Sequence, residues 1–138
     1  TATIASSLNL IIAQRLVRKV CLKCAKLSKI TEQELKLIKE VLKEVPRHIK
    51  TTVSSTMKIP RIQGCSTCNN TGYKGRVGVF EVIVVDEKME SYILGNPSIG
   101  DLRSFARKRG MVTMEEDGFL KVVEGITTIE EVQRITTG

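Results

Sequence analysis

The residues best equipped for chemistry in this 138-residue sequence are its four cysteines. They fall in two pairs, Cys21-Leu-Lys-Cys24 and Cys65-Ser-Thr-Cys68, separated by 40 residues. Two thiolates spaced this way on a tight turn can point at one ion, and a second such turn completes a tetrahedron. Gly64 ahead of the second pair, and Asn69, Asn70 and Gly72 behind it, supply the turn conformations such a knuckle needs. Zinc is favoured, because four sulfurs at tetrahedral geometry suit a soft-ligand ion with no redox demand. Iron in a rubredoxin-like site fits the same ligands. Two disulfides are a competing reading, but they belong to exported chains, and nothing here signals export. A thioredoxin-like redox pair would need one CxxC at a strand–helix junction of a βαβ unit, which the sequence does not offer. Four thiolates leave no open coordination position, so Cys21, Cys24, Cys65 and Cys68 are expected to hold a structural metal, not a catalytic one.

Other chemistry is scarce. With one His, two Tyr and no Trp, the menu for acid–base catalysis is short, and the chain by itself is not expected to be an enzyme. No GxxxxGK phosphate loop occurs, and Gly72-Tyr-Lys-Gly75-Arg-Val-Gly78 has the wrong spacing for one. His48, after Pro46-Arg47, reads as a surface residue. Glu115, Glu116 and Asp117 look like a carboxylate site, but their place in the first turn of a helix explains them as complements to its dipole. Arg107-Lys-Arg109 closes a helix for the mirror-image reason.

The elements that must position the cysteines can also be read. A stripe of Leu8, Ile11, Ile12, Leu16 and Val20 predicts an amphipathic helix over Ser6 to Val20. Thr31-Glu-Gln-Glu34 is a capping box opening a second helix, with Leu35, Ile38, Leu42 and Val45 on one face and Pro46 at its end. Thr52 to Ile62 reads as extended, and Tyr73 to Val85, rich in β-branched residues, as one or two strands with a turn or bulge at Gly75 and Gly78. Beyond Asp86 come short helices, three of them opened by Ser98–Asp101, Thr113–Glu116 and Thr128–Glu131 capping boxes and two of them closed by Gly110 and Gly125. Phe80, Phe105 and Phe119 read as core. The expected fold class is mostly α with a small β element: a four-cysteine module followed by a short-helix subdomain.

Length and composition bound the rest. The chain is long enough for one ordinary domain, and 41% hydrophobic with 27% charged residues describes a globular protein. No apolar run approaches the ~20 residues of a membrane span. There is no basic start to a signal peptide and no initiator Met, so a processed product or excised piece is expected. Charge is uneven: residues 1–80 carry 15 Lys/Arg against 4 Asp/Glu, whereas residues 81–138 carry 7 against 11. A basic half suits nucleic acid, an anionic membrane surface or an acidic protein partner, or it is simply a solvated lysine-rich face.

The segment from Ala13-Gln-Arg-Leu-Val-Arg-Lys-Val-Cys to Cys24 resembles the opening of the four-cysteine module in type II secretion and type IV pilus assembly ATPases. Gly64-Cys-Ser-Thr-Cys-Asn-Asn-Thr-Gly-Tyr-Lys-Gly-Arg-Val-Gly-Val-Phe-Glu-Val82 is similar to that family's second cysteine pair and the strand after it. Leu102-Arg, Gly110-Met-Val-Thr-Met, Asp117-Gly, Lys121-Val and Gly125-Ile-Thr-Thr-Ile-Glu-Glu-Val132 resemble its C-terminal helical subdomain. Leu22 stands where members often have proline. The Ser-Ser-Leu-Asn-Leu-Ile stretch and Tyr-Lys-Gly-Arg-Val-Gly lean toward the pilus extension motor over the secretion motor.

The resemblance implies three segments. Residues 1–20 would form the C-terminal edge of an ATPase core, 21–80 a zinc-binding module and 81–138 a helical subdomain. It further implies a hexameric cytoplasmic motor, peripheral at the inner membrane, that powers protein secretion or pilus extension. ATP and Mg2+ would act in the parent protein only, since phosphate loop, acidic boxes and histidine box lie N-terminal to a segment like Ser6–Val20. The implied partners are the ATPase core of the same chain, neighbouring subunits and an inner-membrane platform protein. No catalytic or nucleotide-binding residue carries over, and contact of Gln14 or Arg15 with nucleotide is left open. The alternative is a free-standing zinc-ribbon module for nucleic acid or an acidic protein partner. Two Tyr and three Phe give nucleic acid little surface to stack on.

Overall fold

A computed structural model describes residues 2–137. Its spine is an antiparallel ribbon of two long strands, β1 (Leu10–Val20) and β4 (Tyr73–Val84), with Leu10 opposite Val84, Gln14 opposite Phe80 and Val17 opposite Val77. A bulge between Arg18 and Val20 shifts the register just ahead of Cys21. A smaller antiparallel pair, β2 (Lys26–Lys29) and β3 (Lys58–Arg61), lies between the two cysteine pairs in sequence. The helices are α1 (Ala2–Ala5), α2 (Glu32–Leu42), α3 (Glu87–Leu94), α4 (Ile99–Lys108), α5 (Met114–Val123) and α6 (Ile129–Thr136).

The expected mostly α class is overturned: the structure is 39% helix and 23% strand. The main error is the amphipathic helix over Ser6 to Val20, most of which is β1. This strand is apolar on both faces, with Ile11 and Val17 on one side and Leu10, Ile12 and Leu16 on the other. A strand of that kind lacks a two-residue alternation, and its apolar residues fall by chance at helical spacing. Its β-branched content and an equally long partner decide the outcome.

The other helices begin where the capping residues predict. Thr31, Ser98, Thr113 and Thr128 each accept a hydrogen bond from the backbone N–H three residues on. The reciprocal half of the box forms only for Thr31–Glu34 and Thr113–Glu116. Asp86 caps α3 in the same way, accepting from the Met89 N–H.

The main core joins the cysteine module to the C-terminal helices. Ile38 and Leu42 of α2 and Ile59 of β3 pack with Phe119 and Val122 of α5 and Ile129 and Val132 of α6. Gly118 lets α5 and α6 touch, since a Cβ there would stand 2.5 Å from a Val132 methyl. Val17 and Val79 bury the inner face of the ribbon against Ile135 of α6, and Met89, Ala106 and Met111 form a smaller core around α3 and α4. Phe119 is core as expected and Phe105 is half-buried, stacked on Tyr92 at 4.1 Å between ring centres. Phe80, expected in the core, is 40% exposed because it lies on the outer face of the ribbon.

Candidate metal centre

The chain brings all four cysteines together by ending β1 at one knuckle and starting β4 from the other. At the first, the N–H groups of Cys24 and Ala25 donate to the Cys21 carbonyl. At the second, Cys68 and Asn70 donate to the Cys65 carbonyl, and a short 3₁₀ turn spans Ser66–Cys68. Asn69 and Asn70 take left-handed backbone conformations with φ of 53° and 61°, which asparagine tolerates better than most residues. Gly72 joins the knuckles: its carbonyl accepts the Cys21 N–H at 2.8 Å, and its own N–H donates to Cys68 Sγ at 3.3 Å. At φ +78°, with the Ile62 Cβ only 2.5 Å from where its own Cβ would stand, position 72 has room for glycine alone.

The four Sγ atoms lie within 4.8 Å of one another and could hold one metal ion. Separations are 3.9 Å for Cys21–Cys65, 3.8 Å for Cys24–Cys68 and 3.7 Å for Cys65–Cys68. A tetrahedron with metal–sulfur bonds of about 2.3 Å has edges of about 3.8 Å, which these three of the six sulfur–sulfur edges match. All four cysteines are free, and none pairs as a disulfide.

The surroundings favour thiolate on the second pair. Burial pushes the Cys68 thiol up, but N–H donation from Cys65 at 3.2 Å and from Gly72 outweighs it and brings the group to about 6. The Cys68 N–H draws Cys65 down as well, whereas burial pushes Cys24 up to about 11. Backbone donors aimed at sulfur are what a metal-bound thiolate requires to hold its charge.

The remaining residues singled out in the sequence take structural positions. His48 is exposed. Arg107 and Glu116, each read as a helix-dipole complement, form a two-pronged ion pair with both N···O distances at 2.7 Å. Asp117 accepts from Lys121 and from the Phe80 N–H.

One charged centre has a role that the capping-box pattern of its segment does not announce. Glu131 is 1% exposed, and its carboxylate accepts from the Arg18 backbone N–H at 2.9 Å and from the side chains of Arg18 and Arg134 at 2.8 Å each. Burial would raise this carboxyl, yet the two guanidinium groups and the N–H hold it at about 2. The Arg18 guanidinium, three residues ahead of Cys21 in the chain, also lies 4.3 Å from the centre of the Tyr73 ring. Glu131 thus ties α6 to the root of the first knuckle. The capping-box pattern marks Glu131 only as part of a helix start, because the partner that makes it a clamp, Arg18, is 113 residues away.

A long β ribbon ending in two CxxC knuckles, backed by capped helices, defines a four-cysteine module of the kind the sequence resembled. The chain belongs to the type II/IV secretion system protein family, whose model matches residues 1–134. It is 35% identical over 129 residues to the type IV pilus assembly ATPase PilB of Thermus thermophilus, covering 94% of this chain and 14% of that protein. It is 37% identical to PilB of Pseudomonas aeruginosa and 34% identical to the type II secretion system protein E of the same organism, covering 96% of this chain in both cases. These matches span only 22% and 24% of the two Pseudomonas proteins. No described helix is long and apolar enough to cross a membrane.

Proposed function

We propose that this chain is the non-catalytic C-terminal part of a hexameric ATPase that powers pilus extension or protein secretion. In this reading residues 1–20 are the edge of the ATPase core, 21–80 a zinc module and 81–138 a helical subdomain. The zinc ion is structural, held by Cys21, Cys24, Cys65 and Cys68; ATP and Mg2+ act elsewhere in the parent protein. The parent works in the cytoplasm at the inner membrane, packed against neighbouring subunits and docked on a platform protein.

The observation that carries this reading is the outer face of the ribbon. Leu10, Ile12 and Leu16 of β1 and Phe80, Val82 and Val84 of β4 share that face by register and remain 37–62% exposed. Six large apolar side chains side by side on a sheet are a surface that a soluble molecule normally covers. The outer edge of β1 is open too. Phe80 N–H points away from the ribbon to Asp117, so Gln14 opposite it also faces outward. From Leu10 to Leu16 the outward N–H and C=O groups find no partner among the described residues, whereas Arg18 and Val20 use theirs on Glu131, Thr127 and Ile126. An apolar face with a free edge is the form of a sheet that continues into another part of the same protein.

Hydrogen exchange on this chain and on the parent protein tests the reading. The amides of Leu10, Ile12, Gln14 and Leu16 should exchange freely here and be protected in the parent. Unchanged exchange of these four amides in the parent would overturn the packing on an ATPase core.

A further inference from the structure

Four polar side chains are buried among the described residues, and three of them, Thr127, Thr128 and Glu131, lie within five positions at the entry to α6. Buried polar groups cost stability unless they are paired, and well-packed apolar residues often serve a core as well. All three are aimed at the roots of the two long strands. Thr127 Oγ1 donates to the Arg18 carbonyl at 2.8 Å, and Glu131 accepts the Arg18 N–H at 2.9 Å. Between them the Ile126 carbonyl accepts the Val20 N–H at 2.9 Å. Thr128 Oγ1 meets the Tyr73 hydroxyl at 2.7 Å.

These contacts act on the backbone that leads into Cys21. The bulge between Arg18 and Val20 interrupts the register with β4, and bulges re-aim the residues that follow them. Residues 126–131 hold that stretch from one side. From the other, the Gly72 carbonyl accepts the Cys21 N–H at 2.8 Å, and the Gly72 N–H donates to Cys68 Sγ. Cys21 itself is 1% exposed, with its Sγ 3.9 Å from that of Cys65. At the far end of α6 the Arg15 guanidinium donates to the Ile135 carbonyl, so the helix is tied to β1 at both ends.

We propose that Glu131 is a positioning residue for the metal centre: through the Arg18 backbone it fixes where Cys21 stands in the sulfur cage, so that α6 and the ion are held as one coupled unit. The inference rests on the four-thiolate zinc reading above and gives a part in it to a helix that supplies no ligand. A carboxylate suits the task, because it accepts at once from the Arg18 N–H and from two guanidinium groups. Groups that orient metal ligands without touching the ion commonly change affinity by about ten- to a hundredfold. The coupling is reciprocal: if docked α6 holds the ion better, the bound ion holds α6 docked.

Zinc release from the loaded chain to a large excess of a chromophoric chelator, followed well below the melting range, tests this. Glu131→Gln should release zinc about tenfold faster than wild type, the lower end of that range because it acts through the backbone. Met89→Ala opens a cavity in the separate core around α3 and α4 and should leave release within about twofold. Hydrogen exchange on the loaded chains gives the location. The Ala25 N–H, bonded to the Cys21 carbonyl, should exchange faster in Glu131→Gln, whereas the Asn70 N–H, bonded to the Cys65 carbonyl, should not. Thr127→Val removes only the hydroxyl on the Arg18 carbonyl and should speed release about threefold, which keeps the proposal testable if Glu131→Gln does not fold. Three results would each overturn the positioning role: release from Glu131→Gln at the wild-type rate, equal acceleration by Glu131→Gln and Met89→Ala, or equal rises in exchange at Ala25 and Asn70. All three leave the four-thiolate reading intact. A wild-type chain that takes up no zinc would overturn both, so the two failures are distinguishable.

Discussion

Replacing Glu131 with glutamine removes one negative charge from a site with no exposed surface and leaves its shape intact. The charge is shared among the Arg18 backbone N–H and two guanidinium groups, with contacts from 2.8 to 3.1 Å. Glutamine can accept through one oxygen only, and its NH2 group would face a donor. Breaking a buried pair costs about 3–5 kcal/mol, and the lower end applies because the Arg18 and Arg134 side chains are 43% and 56% exposed and can be rehydrated. An independent route gives the same size. A carboxyl held at about 2 against an ordinary 4.5 corresponds to about 3 kcal/mol of stability at neutral pH. For a chain of 138 residues that is a fall in Tm of about 10 °C.

The pH dependence has a definite sign. A folded-state value below the unfolded one adds stability that is complete above about 4.5 and is lost as pH falls from there toward 2. Thermal melts of wild type and Glu131→Gln at pH 7 should therefore differ by about 10 °C, with the gap closing between pH 4.5 and pH 2. A pH 7 difference under 2 °C, or a gap constant with pH, would refute the assignment of Glu131 as the clamp between α6 and β1.

Two further substitutions probe packing and pairing. Gly118→Ala places a methyl against Val132, which its neighbours cannot escape without moving α6 from α5; a loss of about 1–3 kcal/mol in urea unfolding is expected, and an unchanged midpoint would show the contact to be loose. Lys29 and Lys58 are directly opposed across β2 and β3, with no acid paired to either, so Lys58→Glu should add up to about 1 kcal/mol, read by the same melts.

Features encoded within a few residues were legible in the sequence. The CxxC spacing marks its own ligands, and a Thr or Ser three residues ahead of Glu or Asp marks a helix start, because both are satisfied over one turn. What could not be read depends on distant partners. β1 took its strand identity from β4, some 60 residues away in sequence, and its two apolar faces hid the alternation that would have announced it. Glu131 carries the sequence signature of a cap, and Thr128 does cap the helix, but the carboxylate turns to Arg18 and Arg134 instead of closing the box. Phe80 reads as core by composition, yet the register puts it beside Ile12 and Val82 on the open face.

Four thiolates placed to hold one metal ion would staple the two knuckles together. Native mass spectrometry of the purified chain, with thiol alkylation before and after a strong chelator, tests it most directly. One zinc ion per chain is predicted, with all four cysteines protected until the chelator is added and cooperative folding lost on its removal. A metal-free chain that reacts at all four thiols and still melts cooperatively at the same temperature would contradict it.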